Sequence, residues 1–163
     1  MILIALGANL PSQAGPPATT LRAALDRLAQ NGAAPLMVSH LYRTPAWPDP
    51  RDPEFVNGVA SIATELSAEK LMELLHDTED AFGRRRTVRN APRTLDLDLL
   101  DYNGAVEQAG PILPHPRIAD RAFVLIPLRE IAPDWRDPAS GKGIDELIAT
   151  LPFAERGAIQ RIG

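Results

Sequence analysis

The chain has 163 residues, of which 45% are hydrophobic, and it carries a formal net charge of −4 at pH 7. This length allows one domain with a buried core, and the acidic balance argues against a general affinity for nucleic acid or an anionic membrane. The sequence contains no cysteine, which excludes disulfides, thiolate metal sites and cysteine nucleophiles. We therefore expect a single domain over residues 1–163, located in the cytoplasm, with no nucleic-acid or membrane partner.

The first half of the chain alternates between strand and helix patterns. Apolar residues 1–6 predict a first core strand, which ends at the turn residues Gly7-Ala8-Asn9. A helix follows, with Thr19 or Thr20 predicted to cap its start and Asn31-Gly32 predicted to end it. Residues 35–42 and 55–63 then predict a second and a third strand.

The connection between these two strands, residues 44–53, contains four prolines and is predicted to be a shaped surface loop. Trp47 in this loop has two interpretations. It either folds back over the edge of the core or lies as a lid beside a flat ligand, and the sequence favours neither.

A second helix is predicted after Ser67, which is placed to cap it, and Gly83 is placed to end it. Glu79 lies near the C-terminal end of this helix. A carboxylate there is unfavourable against the helix dipole, which indicates a cationic or hydrogen-bonding partner, although a solvated glutamate is the commoner explanation.

Residues 92–100, Pro-Arg-Thr-Leu-Asp-Leu-Asp-Leu-Leu, alternate as a strand does. Asp96 and Asp98 share one face, and the leucines at 95, 97 and 99 share the other. Two adjacent carboxylates need cations, and carboxylates typically hold Mg²⁺ together with substrate phosphates. Arginines that could bind such phosphates crowd just upstream: Arg84, Arg85, Arg86, Arg89 and Arg93. The alternative is an edge strand with solvated aspartates and an ordinary arginine-rich surface.

The remaining segments complete the fold prediction. Asn103-Gly104 predicts a hairpin turn whose second arm, residues 105–107, pairs back on the aspartate strand. Residues 122–131 predict a third helix, which Pro127 kinks or restarts, and residues 144–151 predict a short last helix. The order β-α-β-β-α-β predicts an α+β fold with a ferredoxin-like antiparallel sheet, arranged as a three-layer α/β/α sandwich and extended by an extra hairpin.

His115 lies between two prolines, with Arg117 and Arg121 nearby. From this spacing alone, a histidine that only hydrogen-bonds the backbone is favoured over a ligand-binding one.

Several separated motifs fit together at their observed spacing. They are Gly7-Ala8-Asn9-Leu10, Tyr42-Arg43-Thr44-Pro45, Phe55-Val56-Asn57, Gly83-Arg84-Arg85-Arg86, Pro92-Arg93-Thr94-Leu95-Asp96-Leu97-Asp98, Pro114-His115-Pro116-Arg117 and Arg121-Ala122-Phe123. With these motifs the chain closely resembles the 6-hydroxymethyl-7,8-dihydropterin pyrophosphokinases over residues 7–133. The resemblance implies transfer of the β,γ-pyrophosphoryl unit of ATP to the hydroxymethyl oxygen of the pterin, with two Mg²⁺ ions, in folate biosynthesis. We expect a monomer.

The resemblance also implies roles for individual residues. Asp96 and Asp98 match the Mg²⁺ ligands. The arginines that match catalytic or phosphate-handling positions are Arg84, Arg86, Arg93 and Arg121. Residues that match the ATP site are Glu79, Arg86, Leu99, His115 and Arg121. Residues that match the pterin pocket are Thr44, Pro45, Phe55, Asn57 and Phe123, with the aromatic pair sandwiching the ring. Asn90 departs from the family, because a lid tryptophan is common at this position, and Trp47 could supply part of the missing cover.

Two other functions fit parts of the pattern. A metal-dependent phosphohydrolase would use the same aspartates but would release phosphate instead of AMP. A ferredoxin-like RNA-binding module would use the arginine cluster, but the chain is acidic and no strand carries the aromatic stacking motif of such modules. For the pyrophosphokinase, we expect residues 83–92 to be a mobile lid that closes over the substrates.

Overall fold

The computed structural model of the chain describes residues 1–85 and 88–162. In chain order its main elements are β1 (Ile2–Ala8), α1 (Pro17–Gln30), β2 (Ala33–Val38), β3 (Tyr42–Thr44), β4 (Phe55–Thr64), α2 (Ala68–Ala81), β5 (Asp96–Tyr102), α3 (Ala122–Ile131), α4 (Ile144–Thr150), α5 (Phe153–Gly157) and β6 (Gln160–Arg161). A short 3₁₀ turn, Ile118–Asp120, precedes α3. No helix in the described part of the chain has the length and apolar character needed to cross a membrane.

The sheet is antiparallel, with the strand order β5-β1-β4-β3-β6, and β2 also pairs with β4. The predicted antiparallel α+β class is confirmed, and the strand order agrees with the β-α-β-β-α-β pattern. The predicted second strand, however, is divided into β2 and β3. Ser39 lies at the division, where its Oγ accepts from the Val59 N–H at 3.0 Å in place of a main-chain carbonyl and donates to the His40 carbonyl at 2.7 Å.

Side chains of β1 alternate between two cores, one on each face of the sheet. Ile2, Ile4 and Leu6 pack with leucines of α1 and α2, including Leu21, Leu28, Leu71 and Leu75. Leu3 packs with Val59 and Leu100 and with residues of α3 and α4, including Leu125, Leu128 and Ile144. Because both faces are covered along most of β1, the strand ends are where polar side chains can collect.

The predicted cap of α1 at Thr19 or Thr20 is wrong. The helix begins at Pro17, with Pro16 in the N-cap position, because proline is well suited to the first helical turn, where its missing N–H is not needed. Thr20 lies inside the helix, where its hydroxyl is 2.7 Å from Ser12 Oγ. The predicted cap of α2 is confirmed, since Ser67 Oγ accepts from Lys70 N at 3.3 Å.

The predicted pairing of residues 105–107 with β5 is also wrong. Asn103 and Gly104 do form a tight turn with positive φ values of 53° and 74°, and Ala105 N donates to Tyr102 O at 3.0 Å. Glu107 then exchanges both backbone hydrogen bonds with Leu113, at 2.9 and 3.0 Å. The turn signal is local, whereas the choice of partner strand depends on the rest of the fold.

Two further differences concern the C-terminal half. α3 continues through Pro127 as one helix, so the proline does not restart it. After α4, the chain adds the short helix α5 and the strand β6, which pairs with β3 and which the sequence pattern did not predict.

Candidate active site

The strand register brings the predicted site residues to one end of the sheet. Gly7 near the end of β1 lies opposite Asn57 of β4 on one side and opposite Asp96 of β5 on the other. Asp98 lies opposite Ala5 on the same strand pair. The predicted alternation of β5 is confirmed, because both aspartates are partly exposed whereas the neighbouring leucines at 95, 97 and 99 are buried.

The Asp96 carboxylate is held by two of the predicted arginines. Arg84 Nη1 donates to Asp96 Oδ1 at 2.5 Å and to Glu79 Oε1 at 2.7 Å, and Arg93 Nη1 lies 3.3 Å from Asp96 Oδ2. Burial acts to lower the pKa of the Arg84 guanidinium, but Asp96 and Glu79 raise it above its ordinary value. Arg84 is therefore a fixed cation between two carboxylates.

Glu79 is only 1% exposed, and it has both a cationic and a hydrogen-bonding partner, as its position near the C-terminal end of α2 indicated. Its Oε1 accepts from Arg84 and also from the Leu97 main-chain N–H at 2.8 Å. It therefore connects the end of α2 to the start of β5, directly beside the aspartates.

The Asp98 carboxylate faces Arg121 and His115. Arg121 Nη1 donates to Asp98 Oδ2 at 3.0 Å, and His115 Nε2 lies 3.8 Å from the same oxygen. Burial lowers the pKa of the His115 imidazole, and Arg121 and Arg117 lower it further against the opposing effect of Asp98. These effects together favour the neutral form of the ring. Its Nδ1 accepts from Arg117 N at 3.1 Å, which places the proton on Nε2 and leaves that atom as a donor.

A second cluster of site residues, without charged side chains, lies on the β4 side of Gly7, opposite the aspartates of β5. Asn57 Nδ2 donates to Thr44 Oγ1 at 2.8 Å, and both side chains are buried. A Cβ at position 7 would lie 2.8 Å from Asn57 Oδ1, so the amide can occupy this place only because residue 7 is glycine. Phe55 is the first residue of β4, and its ring is 3.9 Å from the same point.

Phe123, the second residue of α3, is the other aromatic side chain near the site. The Arg121 guanidinium lies over its ring, 5.6 Å from the centroid, within the range of a cation–π interaction. Arg121 thus contacts both Asp98 and Phe123, which connects the aspartate side with the aromatic side.

The remaining predicted residues have different surroundings. Leu99 is buried in the core beneath β5. Arg85 and Arg89 line a depression of about 290 Å³ together with Arg84, Val88, Asn90, Ala91 and Arg93. Pro45 directly follows β3.

Two predictions remain, on Arg86 and Trp47. Arg86 lies outside the described residues. Trp47 is 67% exposed, so it does not cover the core edge, and Ala46 is the buried residue beside it.

Two residues that matter to this arrangement were not among the predicted site residues. Gly7 makes room for Asn57, and Asn9 hydrogen-bonds to two loops. Both are part of the first motif, but their contacts depend on strand register and on residues far along the chain, which the sequence pattern does not display.

Asp96 and Asp98 are the candidate magnesium ligands. Among the residues that the structure describes, no group of three or more histidine, cysteine, aspartate or glutamate side chains could hold a metal on its own. A pair of carboxylates fits Mg²⁺ that completes its coordination with water and substrate phosphates, which is how this ion is usually bound. The donor set therefore suits a metal that arrives with a nucleotide.

Comparisons with known proteins agree with this arrangement. The family model described as 7,8-dihydro-6-hydroxymethylpterin-pyrophosphokinase (HPPK) matches residues 3–133. A protein of Synechocystis sp. is 42% identical over 148 residues, which are 90% of this chain and 73% of that protein. A protein of Methylorubrum extorquens is 39% identical over 150 residues, which are 91% of each. Both are named 2-amino-4-hydroxy-6-hydroxymethyldihydropteridine pyrophosphokinase.

Solved structures show the same fold at low sequence identity. An HPPK-DHPS crystallised in complex with substrates matches with a TM-score of 0.70 and 11% identity over 91% of this chain and 42% of that chain. The wild-type HPPK-DHPS of Plasmodium falciparum matches with a TM-score of 0.66 and 11% identity over 91% of this chain and 44% of that one. This chain thus spans less than half of those longer proteins. From the family match over most of its length and relatives at 39–42% identity, the chain belongs to the 7,8-dihydro-6-hydroxymethylpterin-pyrophosphokinase family.

Proposed function

We propose that this chain transfers the β,γ-pyrophosphoryl group of ATP to the hydroxymethyl oxygen of 6-hydroxymethyl-7,8-dihydropterin, which gives AMP and the pterin diphosphate for folate biosynthesis. The names of the relatives support this reaction. The observation that carries the proposal is the register at Gly7, which sets the Asp96 side and the Asn57 side one strand apart on either side of β1. A phosphate site and a site for a flat polar ring are thereby adjacent, as a transfer between ATP and a pterin requires.

On the phosphate side, we infer that Arg84, Arg93, Arg121 and the Nε2–H of His115 bind ATP phosphates. The support is their position around Asp96 and Asp98. Two Mg²⁺ ions held by these aspartates would neutralise phosphate charge and favour attack at the transferred phosphorus. Arg84 and Arg121 then exchange a carboxylate partner for a phosphate. The buried side chain of Leu99 leaves its main chain as the part that can face the nucleotide.

On the pterin side, the proposed residues contact the edge and both faces of the ring. The Asn57 amide and the Thr44 hydroxyl provide donors and acceptors for the ring edge, and Pro45 borders them. Phe55 and Phe123 supply aromatic faces for stacking. Glu79 is proposed to act through Arg84, and Arg86 is assigned on the family resemblance alone.

Finer features of the protein are proposals as well. We infer a three-layer α/β/α arrangement, which the two cores on opposite faces of the sheet support. The monomeric state, the cytoplasmic location and the closure of residues 83–92 over the substrates stay predictions.

The deciding experiment follows AMP formation with ATP, Mg²⁺ and 6-hydroxymethyl-7,8-dihydropterin. We expect AMP in proportion to pterin diphosphate. Phosphate release without AMP would indicate the phosphohydrolase, and AMP formation that does not depend on the pterin would contradict the proposed transfer.

Replacing Asn57 or Phe123 by alanine should weaken pterin binding about tenfold to a hundredfold, the loss of roughly 1–3 kcal/mol typical of a buried hydrogen-bond partner or an aromatic contact. ATP binding should change less than pterin binding, because Asn57 contacts none of the proposed phosphate ligands and Phe123 reaches them only through its cation–π contact with Arg121. Calorimetry with each ligand separately checks this. Asn31→Ala is the control, since this exposed amide donates only to its own helix at Arg27 O. Equal losses of affinity for both ligands would instead indicate a folding defect.

Gly7→Ala should also weaken pterin binding, by about tenfold or more. The new methyl group would lie 2.8 Å from Asn57 Oδ1, so the amide must move out of its bond with Thr44. Pterin titration and thermal unfolding measure the effect. Gly157→Ala is the control, because a Cβ there meets nothing within 4 Å. Unchanged pterin affinity in Gly7→Ala would show that the position of Asn57 does not matter to the ligand.

A further inference from the structure

We propose that Asn9 is a positioning residue that couples the two loops flanking the site. The proline loop is residues 45–54, beside Thr44 and Phe55, and the arginine loop is residues 88–95. The inference rests on the proposed function, because it assumes that the proline loop borders the pterin and the arginine loop borders the phosphates.

The side chain of Asn9 spans both loops. Asn9 follows β1 and is 4% exposed. Its Nδ2 donates to the carbonyl of Pro53 in the proline loop at 3.1 Å, and its Oδ1 accepts from the N–H of Arg93 in the arginine loop at 2.7 Å. The partners are 44 and 84 residues away in sequence, so the amide does more than complete its own turn.

The main chain around Asn9 fixes one of these loops independently. Asn9 N and Leu10 N both donate to Arg93 O, each at 3.1 Å. The arginine loop is thus attached by backbone bonds that any residue at position 9 would keep. The bond to Pro53, in contrast, needs a side-chain donor at this position.

Both attachment points lie next to proposed site residues. Arg93 reaches Asp96 with its guanidinium, 3.3 Å away, and Pro53 is two residues before Phe55. A shift of the arginine loop on nucleotide binding therefore reaches the pterin side through one buried amide. This is a physical connection of the kind that coupling between two sites requires.

The choice of asparagine fits this task. An amide offers a donor and an acceptor at once, and the two loops require one of each. In Asn9→Asp, an ionised carboxylate would still accept from Arg93 N, but it would place an acceptor against the Pro53 carbonyl. Asn9→Asp therefore keeps the side-chain bond to Arg93 N and removes the bond to Pro53 O.

The test is hydrogen exchange of the full chain with and without a non-hydrolysable ATP analogue and Mg²⁺. In the wild type we expect the analogue to slow exchange in both loops. In Asn9→Asp we expect the arginine loop to respond and the proline loop not to respond, and in Asn9→Ala we expect the same. Asn31→Ala should behave as the wild type.

Kinetics distinguish a positioning role from a general structural one. In both Asn9 variants, kcat/KM for the pterin at saturating ATP should fall about tenfold to a hundredfold, as a misplacement near 1 Å can cause, while the Kd of ATP measured without pterin should change less than about twofold. A structural defect would also weaken the binding of ATP alone, whereas a loss of coupling appears only when both ligands are present.

Three results would overturn the coupling. If the analogue slows exchange in the arginine loop alone in the wild type, the loops are independent, and this result needs no variant. If both loops still respond in Asn9→Asp and Asn9→Ala, Asn9 does not transmit the change. If the analogue affects neither loop in the wild type, the phosphate site of the proposed function fails and the coupling fails with it.

Discussion

Replacing Asp98 or Asp96 by alanine should lower turnover by about 1,000-fold or more, or roughly 4 kcal/mol of transition-state stabilisation, while the fold stays intact. The two carboxylates share a strand face and are the proposed magnesium ligands, so their loss removes the charge that positions the metal between the ATP phosphates. Stability should fall only modestly: each substitution takes a carboxylate partner from Arg84 or Arg121, but removing one of two neighbouring negative charges also relieves their repulsion, which offsets part of that loss. Turnover at saturating Mg²⁺ and thermal unfolding are the measurements.

The matched control is Asp145→Ala. This exposed aspartate of α4 is paired with Arg129 at 3.3 Å, so its replacement removes the same charge and an ion pair away from the site. Turnover close to that of the wild type in Asp96→Ala or Asp98→Ala would show that the metal assignment is wrong. A large loss of thermal stability in both would instead indicate a structural role for the pair.

Glu79→Ala should lower the free energy of unfolding by about 3 kcal/mol, the lower end of the usual result of removing one partner from a buried ion pair, because Asp96 still faces Arg84. The substitution takes a partner from Arg84, whose side chain is 12% exposed, and leaves the Leu97 N–H without its acceptor. Denaturant unfolding measures the effect. Glu79→Gln should cost less, because the amide oxygen can still accept from Leu97 N.

Glu73→Ala is the control for this substitution, since Glu73 is on the same helix and pairs with Lys70 at 2.8 Å on the exposed surface. It should cost less than about 1 kcal/mol, as exposed ion pairs do. If Glu79→Ala costs no more than Glu73→Ala, the buried pair does not stabilise the junction of α2 and β5.

Local patterns predicted the parts of the fold that depend on local periodicity. The alternation around Asp96 and Asp98 was correct because a strand has a side-chain period of two, and the cap at Ser67 was correct because its hydrogen bond spans three residues. The break between β2 and β3 was not predictable in this way. It depends on Ser39 and Val59, which are distant in sequence.

The candidate site was predictable in its charged half and less so in its geometry. Arg84, Arg93 and Arg121 were predicted to lie with the aspartates, and the structure brings them together. The pairing of Asn57 with Thr44 beside Gly7 depends on the register of three strands, which composition and spacing do not encode.

The resting partners of the arginines bear on how nucleotide binding responds to salt. Arg84, Arg93 and Arg121 already face carboxylates before any phosphate arrives. An incoming triphosphate therefore replaces one anion by another at these guanidinium groups, instead of neutralising cations that were surrounded by mobile counterions. Since added salt weakens the old pairs as well as the new ones, ATP affinity should fall less steeply with ionic strength than the number of arginines in the site suggests.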